Sequence, residues 1–160
     1  MLTRTSVTAV RLLLHLDREA PGEFASLKEI SSKLEESPTY LAKIARHLVR
    51  AGILRAQRGK TGGVIVNRPS DAITLLAIVE ACQGAILGNF CQETDRLSDT
   101  CALHQAGAEL HDAIIGVLGH WTLADFSRQP RPAREFRDKV RCLLEGGWPG
   151  VFTPVRRRER

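Results

Sequence analysis

No run of about 18 apolar residues occurs in the 160-residue sequence, so no transmembrane helix is available. Cysteine is scarce, with four residues at 82, 91, 101 and 142, irregularly spaced in a chain of ordinary domain size. That argues against a disulfide framework and leaves a metal or redox role for them. The first residues lack the uninterrupted apolar core and small-residue cleavage site of a secretory signal, because Arg11, His15 and Asp17 interrupt them. Cytoplasm is the expected compartment. Internal repeats are absent. The glycines of Gly59-Lys60-Thr61-Gly62-Gly63 do not match the Walker phosphate-binding pattern, and a strand rather than a helix follows them.

A further absence is local. Between Ser37 and Ser70 there is no acidic residue, against seven basic ones: Lys43, Arg46, Arg50, Arg55, Arg58, Lys60 and Arg68. The arginine-rich end, residues 156–160, adds +3. The whole chain carries only +5, so the remainder is acidic on balance at −5. A localised basic field is the footprint expected of a polyanion partner, with a merely solvated basic face as the bland alternative. A hydrophobic content of 43% is normal for a folded domain, and the length suits roughly one domain of about 150 residues.

The apolar spacing of Val7, Val10, Leu13, Leu14 and Leu16 predicts a helix over about Leu2 to Asp17, ended by Pro21-Gly22. Ser26 with Glu29 reads as a capping box, starting a short helix with Leu27, Ile30 and Leu34 on one face. Ser37-Pro38 starts the next helix, since Ser caps and Pro tolerates the first helical position. Leu41, Ile44, Ala45 and Leu48 form its buried stripe, and Ala51-Gly52 closes it. Two short helices in tight succession, the second basic, make a helix-turn-helix pattern. Its second helix would enter the major groove with Thr39, Tyr40 and Lys43 nearest the bases. An ordinary helical hairpin is the alternative. Ile53 to Arg58 and Val64 to Asn67 then read as the strands of a hairpin whose tip carries Arg58 and Lys60. Helix-turn-helix followed by a basic hairpin is a winged helix, with the wing along a minor groove or phosphates.

Thr74 caps a strongly apolar helix that ends at Gly84 and includes Cys82, read as a buried structural thiol. Residues 88–100 show no period and read as a loop. From Ala102 to Trp121 a long helix carries Leu103, Gly107, Leu110, Ile114, Val117 and Trp121 at steps of four and three, a narrow seam that calls for a partner helix. A homodimer follows, with packing inside the chain as the alternative. Thr122 to Phe126 is a small apolar element, and a short helix with Ala133, Phe136, Val140, Leu143 and Leu144 is expected after it.

In their order, these elements resemble the IscR, NsrR and CymR family of bacterial winged-helix transcription regulators. The likeness is carried by 26–30 (SLKEI), 37–41 (SPTYL), 50–54 (RAGIL), 58–63 (RGKTGG), 73–81 (ITLLAIVEA) and 122–125 (TLAD), and it covers about residues 1–126. It implies a dimer that binds operator DNA, and for many members three cysteines ahead of the dimer helix that sense iron–sulfur status, nitric oxide or redox state. Cys91 resembles the first of these and Cys101 the third, but residues 92–100 contain no cysteine, so the middle ligand is missing. Cys101-Ala102-Leu103-His104 resembles the Cys–His ending of the IscR type, which uses the His as a cluster ligand.

At positions i and i+3 of a helix, Cys101 and His104 share a face, and thiolate with imidazole suits an iron–sulfur centre or zinc. The implied set of Cys91, Cys101 and His104 is one short of four ligands. The fourth could come from Glu93, Asp95 or Asp99, the partner chain or a small molecule. A [2Fe–2S] cluster is expected before a [4Fe–4S] one, with a Cys91–Cys101 disulfide switch or no cluster as alternatives. An enzyme built on Cys101 and His104 would need an orienting group and an oxyanion motif, and neither accompanies them. A non-DNA-binding interaction protein is the remote rival.

The expected fold is therefore mostly α with a small β-wing: a winged helix-turn-helix domain over residues 1–84, a sensor loop 85–101, a dimerisation helix 102–127 and an extension 128–160. The candidate DNA-binding set is Ser37, Thr39, Tyr40, Lys43, Arg46, His47, Arg58 and Lys60. The expected partners are double-stranded operator DNA and a second copy of the chain, with no membrane.

Overall fold

The computed structural model describes residues 2–59, 62–86, 100–129 and 142–144. Its order is α1 (Arg4–Glu19), α2 (Leu27–Leu34), α3 (Pro38–Arg50), β1 (Leu54–Gln57), β2 (Gly63–Val66), a 3-10 turn at Ser70–Ala72, α4 (Leu75–Gln83), α5 (Ala102–His120) and α6 (Leu123–Arg128). The architecture is mostly helical with one two-stranded antiparallel sheet, as the sequence predicts. Lys60 and Cys91 lie outside the described residues, as does most of the helix expected after Ala133. At its end, Leu143 and Leu144 form a turn rather than a helix, and Leu144 packs against the core.

Local chemistry sets most helix starts. Thr3 and Ser6 form a reciprocal capping box at α1, and the Ser37 hydroxyl accepts from Tyr40 N–H at α3, with Pro38 in the first turn. Ser26 departs from expectation. It stands at the cap of α2, but its side chain makes no capping hydrogen bond. The residue before it, Ala25, exchanges two 3.0 Å hydrogen bonds with Val64 of the wing, so a strand contact fixes the backbone where the cap would form. That contact also requires Gly63, because a Cβ there would run into the Ala25 carbonyl.

At the end of α2, Glu35 is left-handed with φ 56°. Its N–H bonds back to Ser31 and Ser32 carbonyls, a geometry that suits glycine. Relief of the Cβ clash in Glu35→Gly outweighs glycine's extra chain entropy. The variant is expected to gain about 0.5–1 kcal/mol, read as a raised urea midpoint at unchanged slope; a lowered midpoint would contradict this.

The core joins α1, α3, α4 and the wing through Leu12, Leu13, Ile44, Leu48, Ile53 and Ile78, all essentially inaccessible. In β1–β2, Leu54 pairs with Val66 and Ala56 with Val64. The start of α4 is tied to the start of α6: Leu75 N–H donates to Trp121 O (2.7 Å) and Leu123 N–H to Ile73 O (2.8 Å). α6 opens with a Thr122–Asp125 capping box. The Thr122 hydroxyl and its backbone N–H hold the Asp125 carboxyl below the ordinary carboxylate range, with Arg128 adding to them. That cap's contribution is in place above the ordinary range and is lost as pH falls through the lowered value.

Two faces of α5 differ. Leu118 is buried, and Ile114 packs on the core beside it. Leu103, Leu110, Val117 and Trp121 are exposed at 80%, 62%, 59% and 46%. The predicted seam therefore divides: Ile114 joins the body, while the other large apolar residues form a stripe facing outward.

Candidate functional site

Folding sorts the seven basic residues of 37–70 into three groups. Arg55 lies over the Phe24 ring at 5.4 Å, and Arg68 donates to Ala51 O (3.0 Å). Lys60 lies outside the described residues. Lys43, Arg46 and Arg50 on α3 and Arg58 after β1 are exposed, and no ion pair or hydrogen bond engages their side chains among the described residues. Unpaired surface cations on one helix and the adjoining wing are poised for an anion outside the chain.

The remaining candidates of the turn and α3 fall differently. Thr39 is exposed and His47 half-buried. Ser37 is exposed, with its hydroxyl committed to capping. Tyr40 is half-buried: its hydroxyl donates to Thr5 Oγ1 at 3.3 Å, and the Arg4 guanidinium lies 5.5 Å from its ring centre. Local spacing gave no sign of this, because Thr5 is 35 residues away.

Sequence reasoning also passed over Arg11 and Glu36. Arg11 is 9% exposed inside the apolar stripe of α1 and pairs with Glu36 at 3.3 Å. The available signal was the charge itself: an arginine among Val7, Val10, Leu13 and Leu14 requires a buried partner.

At the start of α5, Cys101 is exposed and stands at the N-cap position, with His104 one turn on. His104 Nδ1 is buried with no hydrogen-bond partner among the described residues. Such an atom is costly unless something outside the described set engages it. His111, seven residues further, places Nε2 3.2 Å from Ile86 O. The thiol and imidazole fit a soft-metal or iron–sulfur site in donor type, but not in number. No three His, Cys, Asp or Glu residues converge among the described residues, and Cys91 is not one of these. Cys82 packs on the core, and burial pushes its thiol up to about 11. Near neutral pH its alkylation by iodoacetamide is expected to be roughly tenfold or more slower than that of Cys101. Peptide mass spectrometry over time checks this, and equal rates would contradict the buried placement.

A third feature is an apolar cleft of about 520 Å³ beneath the outward stripe. Leu2, Leu75, Ile114, Val117, Trp121 and Phe126 line it, and the Trp121 and Phe126 rings stack with centres 6.1 Å apart.

Comparison with known proteins agrees with this architecture. CymR, the global cysteine regulator of B. subtilis, superposes with a TM-score of 0.65 at 24% identity, covering 80% of this chain and 96% of that one. IscR of T. potens gives 0.63 at 22%, covering 82% and 88%. A protein of Listeria innocua gives 0.66 at 21%, covering 95% and 96%. At these identities the likeness is one of fold. The family model described as Rrf2, iron-dependent transcriptional regulator, matches residues 2–129. The chain belongs to the Rrf2 family of transcriptional regulators.

Proposed function

We propose that this protein is a homodimeric, sequence-specific DNA-binding regulator. The observation that carries the reading is the group of four exposed, unpaired cations, Lys43, Arg46, Arg50 and Arg58, on α3 and the wing. In this reading residues 1–84 bind DNA, 85–101 sense, 102–127 dimerise and 128–160 extend the chain. Thr39, Lys43 and His47 face base edges, with Ser37 and Tyr40 at the groove end of α3. Arg46, Arg58 and Lys60 take phosphates or the minor groove. The outward stripe of α5 supports the dimer: Leu103, Leu110, Val117 and Trp121 recur at helix spacing and stay largely exposed among the described residues.

The test is binding to duplexes selected from a random-sequence pool. Affinity is expected to fall steeply with salt, with a slope of about −0.9 per phosphate contact. Lys43→Ala and Arg58→Ala are each expected to weaken binding, by roughly 1–3 kcal/mol where a base contact is lost, without lowering the melting temperature. Unchanged affinity in both would overturn the placement.

For sensing, Cys91, Cys101 and His104 are the proposed ligands of an iron–sulfur cluster responding to iron–sulfur, nitric oxide or redox status. The orphaned His104 Nδ1 supports this. A cluster held there would supply a redox-labile charge at the start of α5. The chain's own part is to present the imidazole and thiol one helical turn apart and to link that end, through α5, to the tied starts of α4 and α6. Anaerobic purification with a visible spectrum and iron and sulfide assays tests it; a colourless, iron-free protein would overturn it. A thiol–disulfide switch at Cys91 and Cys101 is the second reading, favoured by the absence of cysteine from residues 92–100.

A further inference from the structure

The turn between α2 and α3 is held from an unexpected side. Glu36, whose side chain is 5% exposed, receives three donors from α1: Arg4 Nη2 on Oε2 at 3.0 Å, Thr8 Oγ1 on Oε1 at 3.2 Å and Arg11 Nη1 on Oε1 at 3.3 Å. Arg11 also donates through Nη2 to Leu34 O, the last residue of α2, at 2.9 Å. Arg4 reaches over Tyr40 in the first turn of α3, and Thr5 accepts from the Tyr40 hydroxyl. One face of α1 therefore grips the end of α2, the turn and the start of α3.

This arrangement is poorly explained as a source of stability. Taking Arg11 and Glu36 out of water costs about as much as their attraction returns, and apolar pairs of similar volume often serve as well. Arg11 Nε is left buried without a partner among the described residues, which adds to the cost. What a multidentate ion pair supplies, and an apolar contact does not, is direction. α1 is itself anchored at its far end, where Arg18 donates to Ser127 O at 2.9 Å and Ser127 Oγ to Asp17 at 2.5 Å. The grip on Glu36 therefore refers the recognition helix to a fixed axis.

We propose that Glu36, held by Arg4, Thr8 and Arg11, is a positioning residue for DNA recognition. It fixes the angle and register at which α3 meets the major groove, and it does so without touching DNA. This rests on the DNA-binding reading above. Glu36 precedes the Ser37 cap directly, so a shift at Glu36 moves Thr39 and Lys43 relative to the wing. Base contacts depend on such register, whereas phosphate attraction tolerates it.

The test uses the full chain, a duplex selected by the wild type from a random pool, and a pool-average duplex of equal length. The variants are the apolar pair Arg11→Met with Glu36→Leu, and Glu36→Gln alone. In the apolar pair, melting within a few degrees of wild type is expected. Affinity for the selected duplex should fall about tenfold or more, with pool-average affinity and salt slope unchanged. Glu36→Gln should fall between. A specificity ratio unchanged in variants that melt normally would overturn the proposal. If the apolar pair fails to fold, Glu36→Gln decides alone, by the same ratio. If the wild type selects no duplex at all, the DNA-binding reading fails and this one with it, a result distinct from an unchanged ratio.

Discussion

Replacing Leu110 by Glu is expected to convert the proposed dimer into a monomer. Leu110 is 62% exposed on the described chain, in the middle of the stripe formed with Leu103, Val117 and Trp121. In a two-fold interface each substitution occurs twice, so two carboxylates would be buried against apolar surface. At a few kcal/mol each, dimer dissociation should rise roughly a thousandfold or more. Operator affinity should then drop by about 100-fold, because two half-sites no longer bind as one unit. Because Leu110 faces away from the core, the monomer should keep its helical spectrum. Sedimentation and duplex titration together check this. A Leu110→Glu protein that still sediments as a dimer would place the interface elsewhere.

The second large effect concerns the body of the DNA-binding unit. Leu48 on α3 is fully buried, and its carbonyl accepts from Ile53 N–H where the chain enters the wing. Leu48→Ala removes packing on both sides of that junction. It is expected to cost about 3 kcal/mol, since the core relaxes only partly into the cavity. That corresponds to a fall of roughly 6–12 °C in melting temperature. Below the transition, duplex affinity should stay close to wild type, because the exposed cations are untouched. A melting temperature within a degree of wild type would contradict the packing described here.

These substitutions act on elements legible to different degrees in the sequence. The three-four apolar spacing, Ser37-Pro38, the Thr74 cap and the basic run from Lys43 to Arg68 are each encoded within a few residues. They placed α3, the wing and α4 to within a residue or two. The α2 cap misled, because Ser26 and Glu29 satisfy the local pattern while Ala25 answers to Val64, far along the chain. Tyr40 shows the same limit: by spacing it lies on an outer face of α3, whereas folding sets it against Arg4 and Thr5.

By itself, then, the sequence determined the order of the elements, the location of the positive charge and the apolar seam of α5, because period, caps and charge are local properties. Only the tertiary structure decided which cations remain available. Lys60 aside, those of residues 37–70 are exposed, yet Arg55 lies over Phe24 and Arg68 bonds the Ala51 carbonyl, while no side-chain partner engages Lys43, Arg46, Arg50 or Arg58 among the described residues. It also decided which part of the α5 seam faces outward and that the Glu36 side chain is buried under α1. The burial of Glu36 depends on pairs 25 to 32 residues apart, Arg11 and Arg4 with Glu36. No local propensity encodes them; they arise when the packed helices bring opposite charges to the same buried place.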